Sequence, residues 1–354
     1  MTRSAVLPAR VSAAVSRALT PSGPRVRVEE AREVVSRLRV LAPVAAAEVA
    51  RITGLPAARA LTSEVRVVDR EAWTAAALAS FEHLSGAALR RGLEGASPVT
   101  LAVGGVSSGV QSGAILSILA TRVLGQFDPF TPGHPDGALL LVAPNIEAVR
   151  SELTVDPDDF SLWVLLHEQT HRVQFAAAPW LKAHMEARVA ELMESVVGEA
   201  ESLSRDLANL QRALERARRG RREGVPVSEL FLPPQARAIM SELTGVMSFL
   251  EGHANLVMDA VDASTVPTVK TIRRRFTERA ANRSGVERVL LRWIGMEKKA
   301  AQYRDGQRFC EAIHRDHGMG ALNRVFERAE HLPSEAEIHE PSLWAARVLG
   351  VTAP

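Results

Sequence analysis

The sequence predicts an α+β fold that is predominantly helical, with a short sheet beside one histidine-bearing helix. Three observations lead there. Most of the 354 residues fall in segments whose apolar positions recur at helical spacing. One run, 138–143 (ALLLVA), is short, apolar and bounded by Gly137 and Pro144, the pattern of a buried strand. A strong helix start, Asp156-Pro157-Asp158-Asp159, follows that run and leads into His167-Glu168-Gln169-Thr170-His171.

The first 130 residues read as mostly helical. Segment 29–41 has helical periodicity, and Pro43 is expected to break or restart it. Gly54-Leu55-Pro56 ends that unit. Residues 66–68 form a β-like run, and Asp69 can cap a helix carrying Trp73, Ala76, Leu78 and Phe81. Gly105, Gly109 and Gly113 recur every four residues. No Lys-Ser/Thr follows them to contact phosphates, so close helix packing is the better reading than a nucleotide loop. The Pro- and Gly-rich stretch 126–137 reads as a loop, and a helix is expected over 145–153.

In the motif helix Asp156 is the N-cap, Pro157 suits the first helical position, and Asp158 and Asp159 complement the helix dipole. A further helical region spans 181–219, with Leu203, Leu207, Leu210 and Leu214 at 4-3-4 spacing. Its basic cluster, Arg216 to Arg222, reads as a solvated helix end. Helix 241–261 has a broad apolar face containing Leu243, Val246, Leu250 and Val257. The organisation expected is a tail over 1–25 and one domain over 26–350. That domain divides into a helical part (26–137), the strand and motif helix (138–181), a helical arm or lid (182–240) and a C-terminal part (241–350).

Bulk composition excludes several function classes. Lys+Arg is 43 against 41 Asp+Glu, so no nucleic-acid-binding charge excess exists. One cysteine, Cys310, rules out an internal disulfide framework and any multi-cysteine metal site. No run of about 18 apolar residues exists and no signal-peptide core follows Arg3 and Arg10, so no membrane span is expected and the expected compartment is the cytoplasm.

The chemistry resides in HEQTH. Histidines at i and i+4 share one helix face, roughly 5–6 Å apart at Cβ, so both imidazoles can reach one zinc ion. Glu168 stands beside them as a general base for water. A catalytic zinc has three protein ligands and an open position. A third histidine in the metzincin pattern would need Gly at position 174 and His at 177; the chain has Gln174 and Ala177. The segment Phe249-Leu250-Glu251-Gly252-His253-Ala254 offers Glu251 and His253 instead. They are two residues apart on a helix, so one ion cannot readily use both. Gly252 permits close approach of another backbone. Asp259 is a candidate for orienting a ligand histidine.

HEQTH followed by a distant LEGHA resembles the gluzincins. More closely, the chain resembles the bacterial zincin-like metallopeptidase family, whose members are often labelled hydrolases or linked to biosynthesis of a deazaflavin coenzyme. The matching stretches include VLGQFDPF at 123–130, LLLVAPN at 139–145, DFSLWVLLHEQTHRVQFAAAPWL at 159–181, MSFLEGHANLVMDAV at 247–261 and QYRDGQRF at 302–309. The resemblance implies a zincin-like fold with His167, His171 and Glu251 as zinc ligands and Glu168 as base. The resemblance supplies no substrate; the expected reaction is hydrolysis of a peptide or amide bond by zinc-activated water, with a peptide or protein as the expected substrate. The resemblance also implies an oxyanion-stabilising Tyr or His, for which Tyr303 is the leading candidate beside His253, His314 and His317. Strand 138–143 is expected to bind extended substrate by edge pairing, as in other zincins. The rival readings are a zinc-binding fold without turnover, a nucleic-acid-associated protein using the arginines of 216–222, and a hydrolase of a small amide metabolite.

Overall fold

A computed structural model describes residues 3–92, 98–205, 215, 232–281 and 296–351. The chain is mainly helical, around a three-stranded sheet of order β1-β3-β2, with β1 Glu64–Val68, β2 Gly125–Asp128 and β3 Ala138–Val142. β1 runs parallel to β3, with Glu64 opposite Ala138 and Val68 opposite Val142. β2 runs antiparallel to β3, with Gly125 opposite Leu141. Alternate residues of β3 enter two cores. Leu139 and Leu141 join the main one, while Ala138, Leu140 and Val142 pack with Trp73 and Ala120. Burial on both faces explains why the strand reads as an unbroken apolar run.

Three of the expectations change here. The loop expected over 126–137 begins with strand β2, whose four residues are too few to show alternation and which exists through its pairing with β3. Strand β3 is central, with both edges hydrogen-bonded, so it cannot pair with substrate; the edge strand beside the motif helix is β2. Pro43 does not interrupt its helix. Helix α2, Val28–Thr53, runs through it to a left-handed Gly54 cap. Pro43 and Arg39, whose carbonyl loses its helical donor, are both exposed. The opposite face buries Leu38, Ala42, Ala45 and Val49.

The segment expected to be a tail carries helix α1, Arg3–Leu19, packed against α4, Pro98–Ala120. The four-residue glycine spacing makes that contact. Ser12 donates to the Gly109 carbonyl (3.1 Å), and a Cβ on Gly113 would lie 2.6 Å from the Ser12 carbonyl oxygen. Helix α3, Arg70–Gly92, packs beside both α1 and α4 and is capped by Asp69, which accepts from the Ala72 N–H.

After β3 come α5, Ala143–Leu153, and the motif helix α6, Pro157–Ala177. Asp156 caps α6 by accepting from the Asp158 and Asp159 N–H groups. Helix α7, Pro179–Arg205, forms the first part of the expected arm; residues 206–231, apart from 215, lie outside the described set, and the arginines of the basic cluster with them. Helix α8, Pro234–Ala260, packs against both α6 and α10, Met296–Leu322, and α9, Val269–Ala281, lies beside α5 and α6. A Cβ on Gly252 would overlap the Gly306 carbonyl, so the two glycines set how closely α8 and α10 approach. Phe249, Leu250 and Val257 of α8 meet Leu165, Leu166 and Val173 of α6 and Phe309 and Ile313 of α10 in the main core. No helix among the described residues is long and apolar enough to cross a membrane.

Candidate metal centre

Two helices built for burial bring the site together. On α6, His167 and His171 are one turn apart and share a face. Their Nε2 atoms stand 3.3 Å apart, with the rings nearly perpendicular at 87°. On α8, Glu251 reaches across: one carboxylate oxygen is 3.7 Å from His167 Nε2 and the other 3.7 Å from His171 Nε2. Among the described residues this is the one group of three or more metal-ligating side chains whose donor atoms converge within 4.8 Å.

The donor set fits zinc. Metal–nitrogen bonds of about 2.0–2.1 Å in a tetrahedral site place neighbouring donor atoms about 3.3–3.4 Å apart. The two imidazole nitrogens already stand at that spacing. Two histidines and one carboxylate supply three ligands of the kind a catalytic zinc takes, leaving a fourth position for water or substrate.

Burial sets the protonation of the site. Desolvation, with the neighbouring His171 adding to it, pulls His167 down from 6.5 to about 3, so its ring is neutral and has a lone pair to offer. Glu168 is buried, and desolvation pushes its carboxyl from 4.5 up to about 7; Glu251 adds to the rise, while His171 and the Phe127 N–H oppose it. Glu168 lies against β2. A Cβ on Gly125 would fall 2.6 Å from Glu168 Cγ, so the glycine makes room for the carboxyl.

The site opens into a cleft of about 500 Å³. Leu124, Val164, Met258 and the tilted pair Trp163–Phe276, centroids 5.0 Å apart, form its apolar wall. His167, Glu168, Asn255 and Gln307 are among its polar lining. Asn255 lies one turn beyond Glu251 on α8.

Of the two candidates for third ligand, the structure brings one to the histidines. Glu251 faces the histidines, whereas His253 points into the core, 0% exposed, against Phe249 and Phe326. Burial holds His253 near 3, so it too is neutral. It is therefore removed from the oxyanion candidates. His314 and His317 are exposed on α10 and do not line the cleft. Tyr303 belongs to α10, but its side chain lies outside the described set. Asp259 does not orient a histidine. It accepts from Gln307 Nε2 (3.0 Å) and faces Arg273 at 4.0 Å, because it lies two turns past Glu251, at the solvent end of α8.

Sequence reasoning missed the residue that contacts one of the two histidines. Gln174, 0% exposed, holds its amide oxygen 2.9 Å from His171 Nδ1 and donates to the Leu250 carbonyl (2.8 Å). The available signal was the 4-3 spacing of 167, 171 and 174, which puts the three side chains on one helix face.

A family model for zincin-like metallopeptidases matches residues 9–345, nearly the whole chain. The chain belongs to the zincin-like metallopeptidase family. It is similar to a crystal structure from Chloroflexus aurantiacus described as a "putative hydrolase with a novel fold". The two share 26% identity at a TM-score of 0.64, over 98% of this chain and 99% of that one. No curated protein matches the sequence. Family and neighbour together support a hydrolase.

Proposed function

We propose that this chain is a zinc-dependent hydrolase that cleaves a peptide or amide bond, with a peptide or protein segment as substrate. The observation that carries the reading is the convergence of His167, His171 and Glu251 on one point, with Glu168 beside it, on the wall of an open cleft. Zinc held by these three residues would polarise the scissile carbonyl and lower the pKa of water there.

The chain's own groups do the rest. Glu168 takes a proton at a carboxylate oxygen from the attacking water and returns it to the leaving amine. Its burial keeps that oxygen basic near neutral pH, where an ordinary glutamate is a weak base. The edge strand β2 offers backbone groups to an extended substrate, and its Gly125 lies against Glu168, which favours a chain-like substrate over a compact metabolite. Trp163 and Phe276 give an apolar side chain a surface to rest on. Asn255 lines the cleft and is placed to donate to a substrate carbonyl.

Elemental mass spectrometry of purified protein tests the reading. The expected result is near one zinc per chain, lost in Glu251→Ala and kept in His253→Ala. Peptide turnover should then disappear in Glu168→Gln while zinc remains. A wild-type protein that takes up no zinc, even when it is supplied, refutes the reading.

A further inference from the structure

We propose that Gln174 is the positioning residue of the metal centre, holding His171 in the Nδ1–H form so that Nε2 presents its lone pair beside His167 and Glu251. This rests on the reading of His171 as a metal ligand.

The hydrogen bonds determine the assignment. A side-chain amide has one oxygen that accepts and one nitrogen that donates. Leu250 offers a carbonyl, which can only accept, so the Gln174 nitrogen must face it at 2.8 Å. That leaves the Gln174 oxygen toward His171 Nδ1 at 2.9 Å, and an oxygen there requires Nδ1 to carry the proton. In the neutral ring, His171 Nε2, 3.3 Å from His167 Nε2, is then the nitrogen that carries the lone pair. The second amide hydrogen of Gln174 has its own acceptor, His253 Nδ1 at 3.1 Å. Rotating the amide would turn its oxygen onto the Leu250 carbonyl, which can only accept, so the Leu250 contact fixes its orientation. Gln174 therefore ties together the two helices that carry the ligands: it bonds His171 within α6 and the backbone next to Glu251 on α8.

The arrangement differs from the one the sequence suggests, in which Asp259 orients a ligand histidine. A neutral amide does the same geometric task without placing a further negative charge beside Glu251 and Glu168. Partners of this type typically change metal affinity about 10- to 100-fold when removed.

The test uses the full chain and three proteins: wild type, Gln174→Met and Gln174→Glu. Methionine keeps the length and removes all three hydrogen bonds; glutamate keeps the acceptor for His171 and loses the donors to Leu250 and His253. Zinc affinity is measured by competition with a chromophoric chelator. The imidazole tautomers of the zinc-free protein are read by long-range proton–nitrogen NMR. Gln174→Met is expected to bind zinc about 10- to 100-fold more weakly, with Gln174→Glu recovering most of that loss although its zinc-free Tm stays lowered. A merely structural glutamine would lower the zinc-free Tm of both variants and leave zinc affinity alone. Wild-type His171 should show the Nδ1–H form before zinc is added. An Nε2–H form there overturns the proposal, as does unchanged zinc affinity in Gln174→Met. Absence of zinc binding in wild type with the Nδ1–H form present would refute the metal reading and leave the positioning geometry standing.

Discussion

Glu168→Gln in the metal-free protein isolates the free energy of burying that carboxyl. The folded chain holds the Glu168 proton up to about pH 7, whereas an ordinary glutamate releases it near 4.5. The folded-state value is raised, so this group's contribution is fully present below about 4.5 and is lost as pH rises through 7. A gap of about 2.5 pH units corresponds to about 3 kcal/mol. Glu168 is only 7% exposed, so solvent screening reduces this little. Glutamine is close in shape, can accept from the same Phe127 N–H and does not ionise. Its stability relative to wild type should therefore grow by roughly 2–3 kcal/mol between pH 5 and pH 8. His167 and His253, both held near 3 by burial, oppose this trend by losing stability as pH falls below 6.5, but they are common to both proteins and cancel in the difference. Urea unfolding in the presence of a chelator, at pH 5 and pH 8, reads it directly. A stability difference independent of pH would refute the claim that Glu168 is a buried, proton-holding base.

The same geometry yields three further expectations. Gly125→Ala pushes a methyl group onto Glu168 Cγ and should leave zinc content unchanged while lowering turnover about 10- to 100-fold, measured as kcat on a peptide substrate. Gly252→Val cannot be accommodated against the Gly306 backbone. It should cost about 3 kcal/mol in urea unfolding and weaken zinc binding, since α8 carries Glu251. Asp156→Ala removes the cap of α6 and should cost about 1 kcal/mol in the same assay, with zinc affinity unaltered, because the ligands lie several turns from the cap.

What the sequence made legible was what local rules determine. The Asp156 cap, the i,i+4 histidines, the β3 run and the small-residue contact at Gly109 and Gly113 each follow from spacing within one element, and each stands in the structure. The continuity of α2 through Pro43 was not legible from that proline, because the deciding quantity is the apolar face buried against α6. Strand β2 was hidden for a related reason: four residues with a glycine at one end carry no periodicity, and only pairing with β3 makes them a strand.

The site divides along the same line. His167, Glu168 and His171 belong to one helix, so their mutual placement is a property of helix geometry. The choice of Glu251 over His253 needs to know which face of α8 meets α6, and Gly252 fixes only that some backbone comes close. The search for a partner to the ligand histidines went to Asp259 because charge is conspicuous in a sequence and an amide is not. Yet a carboxylate so far along α8 ends at the solvent, whereas Gln174 sits a single turn from His171 and wholly inside the core. A buried amide must satisfy both its oxygen and its nitrogen, and that double requirement lets one side chain set a tautomer on α6 while bonding to the backbone of α8. The precision of the centre thus depends on a residue with no charge, no metal contact and no part in proton transfer.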